Sequence, residues 1–426
     1  MLSKNMRWVY ITIPIFFFWF FGQIDKLGIS VIQTDPGFLE DMGLTGPDKN
    51  AKLGFLTFIF TVAYALSNLF WGVVIDKLGA RKTAMLGITV WGLTMIFAGL
   101  STSYEMFVVS RIILGIGEGI MIPVSGKFIA NWFNRKEIGK AQASWISGNY
   151  LGPAIGALVL SLLISNMNWH YSFFLLAACN LLLNIPMFYF LTRERPEEHP
   201  GMSKEEIAYI HQNDEPASGS KQSFAQDYRY WMVWIGMLAS SFLFFGISIW
   251  LPSYLTQGKG FAMEEMAGIT SLSWLFALMF VLICGYLSDK TQRPSLLASI
   301  MFALSAVFLL IASYSTNPIV AGVSLGLAMG TQGGVFHLSN LFIVKFSTPE
   351  TAGRAAGLMG FTNILGGFSS YIMGWMRDLA GGDFGPSIIM LIVVALIGFL
   401  AYLTTLKKEA SEARLYKQES LYKKAI

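Results

Sequence analysis

The sequence predicts an all-α membrane protein of twelve transmembrane helices in two six-helix halves. Three observations carry this reading. Of 426 residues, 54% are hydrophobic and 13% are charged, about half the ~25% charge of an average soluble domain. Twelve apolar stretches reach the ~20 residues that a ~30 Å hydrocarbon core asks of a helix. A polar segment at mid-chain separates two halves that share a loop pattern. A soluble multidomain enzyme and a disordered chain are both excluded by this composition. Cys179 and Cys284 fall inside apolar stretches and imply no disulfide framework. The four histidines are scattered without ligand spacing, so neither a metal site nor a cofactor is expected.

The expected spans are 8–32, 53–75, 83–101, 104–130, 140–165, 169–191, 229–256, 266–287, 295–314, 318–344, 354–377 and 386–406. The first is too long for a signal peptide. It carries Asp25 and Lys26 and has no small-residue cleavage pattern, so it reads as an uncleaved span. Basic residues then set the orientation. One set of loops holds Lys4, Arg7, Lys77, Arg81, Lys82, Arg135, Lys136, Lys140, Arg193, Arg195, Lys204, Lys221, Lys290, Arg293, Lys345 and the tail from Lys407. The opposite loops hold Lys49, Lys52 and Lys259, with Arg377 at a helix end. Both termini are therefore expected in the cytoplasm of a cell whose inner membrane the chain crosses many times.

The longest polar segment, Thr192–Gln226, contains Pro196, Pro200, Pro216 and Ser218-Gly219-Ser220. It reads as a cytoplasmic linker with a short surface helix near Ser203–His211, where Ser203 opens an S-x-E-E cap. The expected organisation is a bundle at 1–191, a linker at 192–228, a second bundle at 229–406 and a tail at 407–426. The tail mixes bases with Leu415, Leu421 and Tyr422, a composition suited to the anionic inner leaflet or to simple solvation. The halves echo each other: Gly72-x-x-x-Asp76-Lys77 leaves span two and Gly285-x-x-x-Asp289-Lys290 leaves span eight. Six plus six helices with a central linker is the parallel repeat of a rocking secondary transporter.

The full string Gly72-Val-Val-Ile-Asp76-Lys77-Leu-Gly79-Ala-Arg81-Lys82 resembles the loop 2–3 signature of the major facilitator superfamily, G-x-x-x-D-(R/K)-x-G-x-(R/K)-(R/K). A partial second copy is Gly285, Asp289, Lys290 and Arg293. The resemblance implies the major facilitator fold and a cytoplasmic gate built on Gly72, Asp76, Lys77, Gly79, Arg81, Lys82 and Asp289. Glycine would let two helices approach closely, and aspartate would pair with a basic residue or a helix terminus. Four further segments are similar to the anion:cation symporter family: Asp25-Lys26, the string LEDMGLT at 39–45, Arg111-Ile-Ile-Leu-Gly-Ile-Gly-Glu118, and Trp250-Leu-Pro-Ser-Tyr-Leu. That family includes carriers of hexuronates, galactonate and other sugar acids. Its members usually have arginine after the span-one aspartate. Lys26 keeps the charge here but loses the bidentate fork.

Asp25, Lys26, Arg111 and Glu118 are the ionisable residues well inside spans, with His337 a weaker case. Each charge at depth costs ~2.5–3.5 kcal/mol on insertion scales, so such residues line cavities or pair with one another. Arg111 and Glu118 are two turns apart on one helix face. Asp25 and Arg111 both fall in the outer half of their helices and are expected to pair. Two acids and two bases sum to zero, and protonating either acid leaves a net positive site that attracts an anion. Asp25 and Glu118 are accordingly expected to couple protons. An anion entering an inside-negative cell is opposed by ~2.3 kcal/mol per 100 mV, which one co-entering proton cancels. The expected substrate contacts are Lys26, Arg111, Gln23, Tyr64, Asn149, His337, Asn340 and Asn363. Their donors and acceptors suit sugar hydroxyls, although asparagine and serine also serve as interhelical glue.

Gly148-x-x-x-Gly152-Pro153-x-x-Gly156 in span five, and Gly357, Gly360, Gly366 and Gly367 in span eleven, mark close helix crossings. The expected function is proton-coupled symport, the uptake of a small organic anion such as a sugar acid. The partners are protons and the lipid bilayer, without nucleic acid, and the chain is expected to act as a monomer. The alternative is a proton-coupled antiporter that exports a drug or metabolite, since the span-five glycine pattern also resembles a motif of drug/proton antiporters. Lys26 and Arg111 argue against lipophilic cations as cargo. No nucleophile–base pair, phosphate loop or metal cluster points to an enzyme.

Overall fold

The computed structural model describes residues 5–134, 136–211, 226–346 and 352–411. Among the described residues every regular element is helical. Spans one to six are Trp8–Ile32, Lys49–Leu78, Ala80–Gly99, Tyr104–Trp132, Ile138–Asn166 and Trp169–Leu191. Spans seven to twelve are Tyr228–Gly258, Met263–Thr291, Pro294–Tyr314, Pro318–Phe346, Ala352–Leu379 and Gly385–Leu403. Eleven of these helices are long and apolar enough to cross a membrane. Span eleven has the length, but its run of glycine, serine, threonine and asparagine makes it less apolar than the others.

The chain folds into two compact units, Met1–Pro216 with Ala262–Ser271, and Ala217–Phe261 with Leu272–Ile426. The opening turns of span eight thus belong to the first unit, where Ser161 Oγ donates to Met263 O at 3.4 Å. Span two is longer than the hydropathy suggested, and a short helix, Pro36–Asp41, precedes it. Asp35 caps that helix by accepting from Phe38 N at 3.1 Å, leaving one fewer orphan donor at its start.

Three interruptions shape the first unit. Span one breaks at Gly28 into Ile13–Leu27 and Ile29–Ile32. Span four breaks after Glu118, at Gly119 and Ile120, before resuming at Met121. Span six contains a π-helical turn, Cys179–Asn184, a geometry often found at functional sites. Spans one and five cross closely. A methyl group at Gly148 or Gly152 would collide with the carbonyls of Phe16 and Phe20, which gives the span-five glycines the packing role expected of them.

The linker helix is Lys204–Ile210, with Ser203 accepting from Glu206 N at 3.2 Å as its cap. It docks on Arg7. The Arg7 guanidinium makes a 2.8 Å bond to Glu206 Oε1 and a bidentate pair with Glu137 at 2.8 and 2.9 Å. Burial disfavours the Arg7 charge, yet these two carboxylates raise its pKa above the ordinary arginine value. The linker residues 212–225 and the tail beyond 411, with Leu415, Leu421 and Tyr422, lie outside the described residues.

Candidate functional site

Spans one, two, four and six converge on the four mid-span charges. Arg111 is 1% exposed. Its Nη1 donates to Asp25 O at 3.2 Å and its Nη2 to Lys26 O at 3.0 Å. These carbonyls end the helical piece that stops before Gly28, and the last carbonyls of a helix lack intrahelical partners. A cation there also meets the negative end of the helix dipole. The expected Asp25–Arg111 pair is therefore corrected in kind: the guanidinium holds the backbone of residue 25, not its carboxylate. The break that frees the carbonyls is a tertiary feature that helix counting does not reveal.

Aromatic faces hold both cations. Arg111 Cζ lies 4.8 Å from the Phe60 ring centre. Lys26 Nζ lies 4.4 Å from that of Tyr64 and 5.6 Å from that of Phe60. Such contacts contribute ~0.5–2 kcal/mol each. Lys26 is half-buried, more open than Arg111.

The two acids differ. Asp25 Oδ2 accepts from Asn180 Nδ2 at 2.7 Å. Glu118 is 0% exposed, and neither of its oxygens has a hydrogen-bond partner among the described residues. Glu118 nevertheless lies within electrostatic reach of Asp25, Lys26 and Arg111. Spans two and four also pack closely here. A methyl group at Gly115 would strike Phe60 O at 2.6 Å, and one at Gly119 would overlap Ser67 Oγ.

The other expected substrate contacts divide between the units. Gln23 is buried in span one, and Asn149 is half-buried next to Gly148 in span five. In the second unit Asn363 Oδ1 accepts from Ser241 Oγ at 3.2 Å. Asn340 Nδ2 is spent on Phe336 O of its own helix at 3.0 Å. His337 packs on Gly285, where a methyl would lie 3.2 Å from its Nε2. That places His337 at the second loop pattern, beside Gly285, one turn before Asp289.

The loop 2–3 string forms a built turn. Gly79 has φ +82° and ends span two, a conformation that favours glycine. Asp76 pairs with Lys127 of span four at 3.4 Å, with both side chains exposed. Gly72 is corrected: a methyl there would meet nothing within 4 Å, so it supports no close helix approach among the described residues. Sequence reasoning missed the main partner of this loop. Glu194, just after span six, accepts from Ala80 N at 2.7 Å and Arg81 N at 3.1 Å, capping span three. Glu409, just after span twelve, does the same for span nine, accepting from Ser295 N at 2.6 Å and Leu296 N at 3.2 Å. Gln292 takes the turn position of Gly79 with φ +53°, its side chain donating to Asp289 O at 2.8 Å. Also missed were Phe60, Asn180 and Asn184. Asn180-x-x-x-Asn184, two amides one turn apart in an apolar span, was the available signal.

Comparison with known proteins agrees with this architecture. The probable sulfoacetate transporter of Cupriavidus necator is 26% identical, over 85% of this chain and 86% of its own length. The D-galactonate transporter of Escherichia coli is 24% identical over 89% and 91%. The hexuronate transporter of Bacillus subtilis is 24% identical over 76% and 74%. Among solved structures, a bacterial homologue of the human lysosomal transporter Spinster, inward-facing and unoccupied, superposes with a TM-score of 0.74 at 17% identity, covering 95% of this chain and 98% of that one. That likeness concerns the fold alone. These relatives are transporters and not enzymes, and the Major Facilitator Superfamily profile matches residues 15–371. The chain belongs to the Major Facilitator Superfamily, as a multi-pass membrane transporter.

Proposed function

We propose that the protein is a proton-coupled symporter that takes up a small organic anion, a sugar acid such as a hexuronate or aldonate, by alternating access. The observation that carries this reading is the set Asp25, Lys26, Arg111 and Glu118 gathered in one apolar bundle. The two cations rest on aromatic rings, and Glu118 has no hydrogen-bond donor among the described residues. An ionised carboxylate without donors is costly in such surroundings. A proton on Glu118 or Asp25 leaves Lys26 and Arg111 in charge excess, and an incoming carboxylate restores the balance. Proton and anion then favour each other's binding, as linkage requires. The names of the relatives support the anion class.

In this reading Lys26 and Arg111 attract the carboxylate. Gln23, Tyr64, Asn149, His337, Asn340 and Asn363 supply polar contacts. The loop from Gly72 to Lys82, with Asp289 in the second copy, is the cytoplasmic gate, and both termini are cytoplasmic. The test is a thermal-shift panel on purified protein with D-galactonate, D-glucuronate, D-glucarate, sulfoacetate and a lipophilic cation. A bound anion at about 100 times its Kd adds ~2.7 kcal/mol of stability. Stabilisation by a sugar acid, stronger at acid pH, is the expected result. Stabilisation by the lipophilic cation alone would replace this reading with drug export.

A further inference from the structure

Asp25 has a partner that the charge count does not require. The Asn180 amide donates to Asp25 Oδ2 at 2.7 Å and to Leu176 O at 2.9 Å, and its Oδ1 accepts from Asn184 Nδ2 at 3.2 Å. Two acceptors on one side and a donor on the other fix which way this amide points. Both asparagines are 0% exposed and lie on or beside the π-helical turn of span six. Asp25 Oδ1 has no hydrogen-bond partner among the described residues, and neither does Asn184 Oδ1. The groups that face Asp25 are Arg111 and Glu118 from span four, Lys26 on its own helix, and Cys179 with Asn180 from span six.

We propose that Asn180 is a positioning residue for proton coupling: it reserves Oδ2 of Asp25 and leaves Oδ1 as the atom that gains and loses the proton. The exchange is with water. An Oδ1–H bond forms as hydronium gives up its proton, and it breaks when water takes the proton back. Asn184 holds Asn180 in register by occupying its carbonyl oxygen. In this structure the hydrogen bonds of Arg111 go to the carbonyls of residues 25 and 26, and Asn180 is the donor to the Asp25 carboxylate. This role rests on the reading of Asp25 as a proton carrier.

The test needs no substrate. Infrared titration of the purified full chain, with isotope-labelled aspartate, follows the carbonyl band of protonated aspartic acid, and the Asp25→Asn variant identifies the band of Asp25. In Asn180→Leu the carboxylate loses a donor that favours its ionised form. The midpoint of that band is then expected to move up by about one pH unit, together with a frequency change. Asn180→Ser, which is less disruptive to packing, is expected to give the same sign, and Asn184→Ala a smaller shift. An unchanged midpoint and frequency in both folded Asn180 variants overturns the role of Asn180 while Asp25 remains a carrier. If Asp25→Asn removes no titrating band, the carrier reading fails, and the role of Asn180 with it.

Discussion

The buried charges of the two units are arranged differently. In the first unit Arg7 and Glu206 are buried as a pair near helix ends, but Asp25, Arg111 and Glu118 lie in mid-helix, each less than 3% exposed, around the half-buried Lys26. Among the described residues of the second unit the buried charges Arg229, Arg377 and Glu409 sit at helix ends, and each has a partner. Arg229 is bonded to Asp227 at 2.7 Å, Arg377 to Gln257 Oε1 at 2.8 Å, and Glu409 to the start of span nine. Asp227 is correspondingly lowered to about 2, through its hydrogen bonds to Arg229. Among the described residues, the mid-helix buried polar groups of the second unit are neutral, among them Ser240, Ser241, Gln332 and Ser339, with Asn363 beside Ser241. Charges at helix ends meet interfacial water and helix dipoles, and they serve to hold structure. Charges at mid-helix carry the full cost of apolar surroundings, and their persistence points to work done there.

The largest effect that would test this difference comes from removing one arginine from each unit. Arg111→Ala is expected to abolish saturable sugar-acid uptake in proteoliposomes, since losing one partner of a buried polar array costs ~2–5 kcal/mol. Arg377→Ala is expected to lower thermal stability while the protein that inserts still transports. Equal transport loss in both variants, or high-affinity uptake by Arg111→Ala, would erase the distinction.

A smaller effect is expected at the exposed Asp76–Lys127 pair, worth ~0–1 kcal/mol by itself. Asp76→Asn should slow transport several-fold with little change in anion affinity, because Asp76 lies at the helix end and not among the mid-span charges. Parallel measurement of turnover and of equilibrium binding checks this. A large affinity loss at normal turnover would move Asp76 out of the gate.

Much of the architecture was legible because hydropathy acts residue by residue. The four mid-span charges were legible for the same reason, each being a costly residue in an apolar run. Their partners were not. The carbonyls that Arg111 grips become available only because span one breaks at Gly28, a glycine packed closely against Leu160 of span five. Glu194 and Glu409 looked like ordinary loop acids, since a carboxylate that caps another helix leaves no local pattern. Gly72 erred the other way: a matching motif letter carried no packing in this structure. His337 read as a polar residue in a span, whereas its depth along span ten places it beside Gly285.

The central claim is that the anion travels with a proton carried by Asp25 or Glu118. Its most direct test is proton flux started by D-galactonate or D-glucuronate alone, whichever stabilises the protein, in proteoliposomes held at uniform pH with an external pH dye. Uptake by the unaltered protein is expected to make the external medium more alkaline. Glu118→Gln and Asp25→Asn are expected to retain counterflow of the labelled anion and to lose that pH change. Anion entry without external alkalinisation by the unaltered protein, or an undiminished pH change in both variants, would contradict the account.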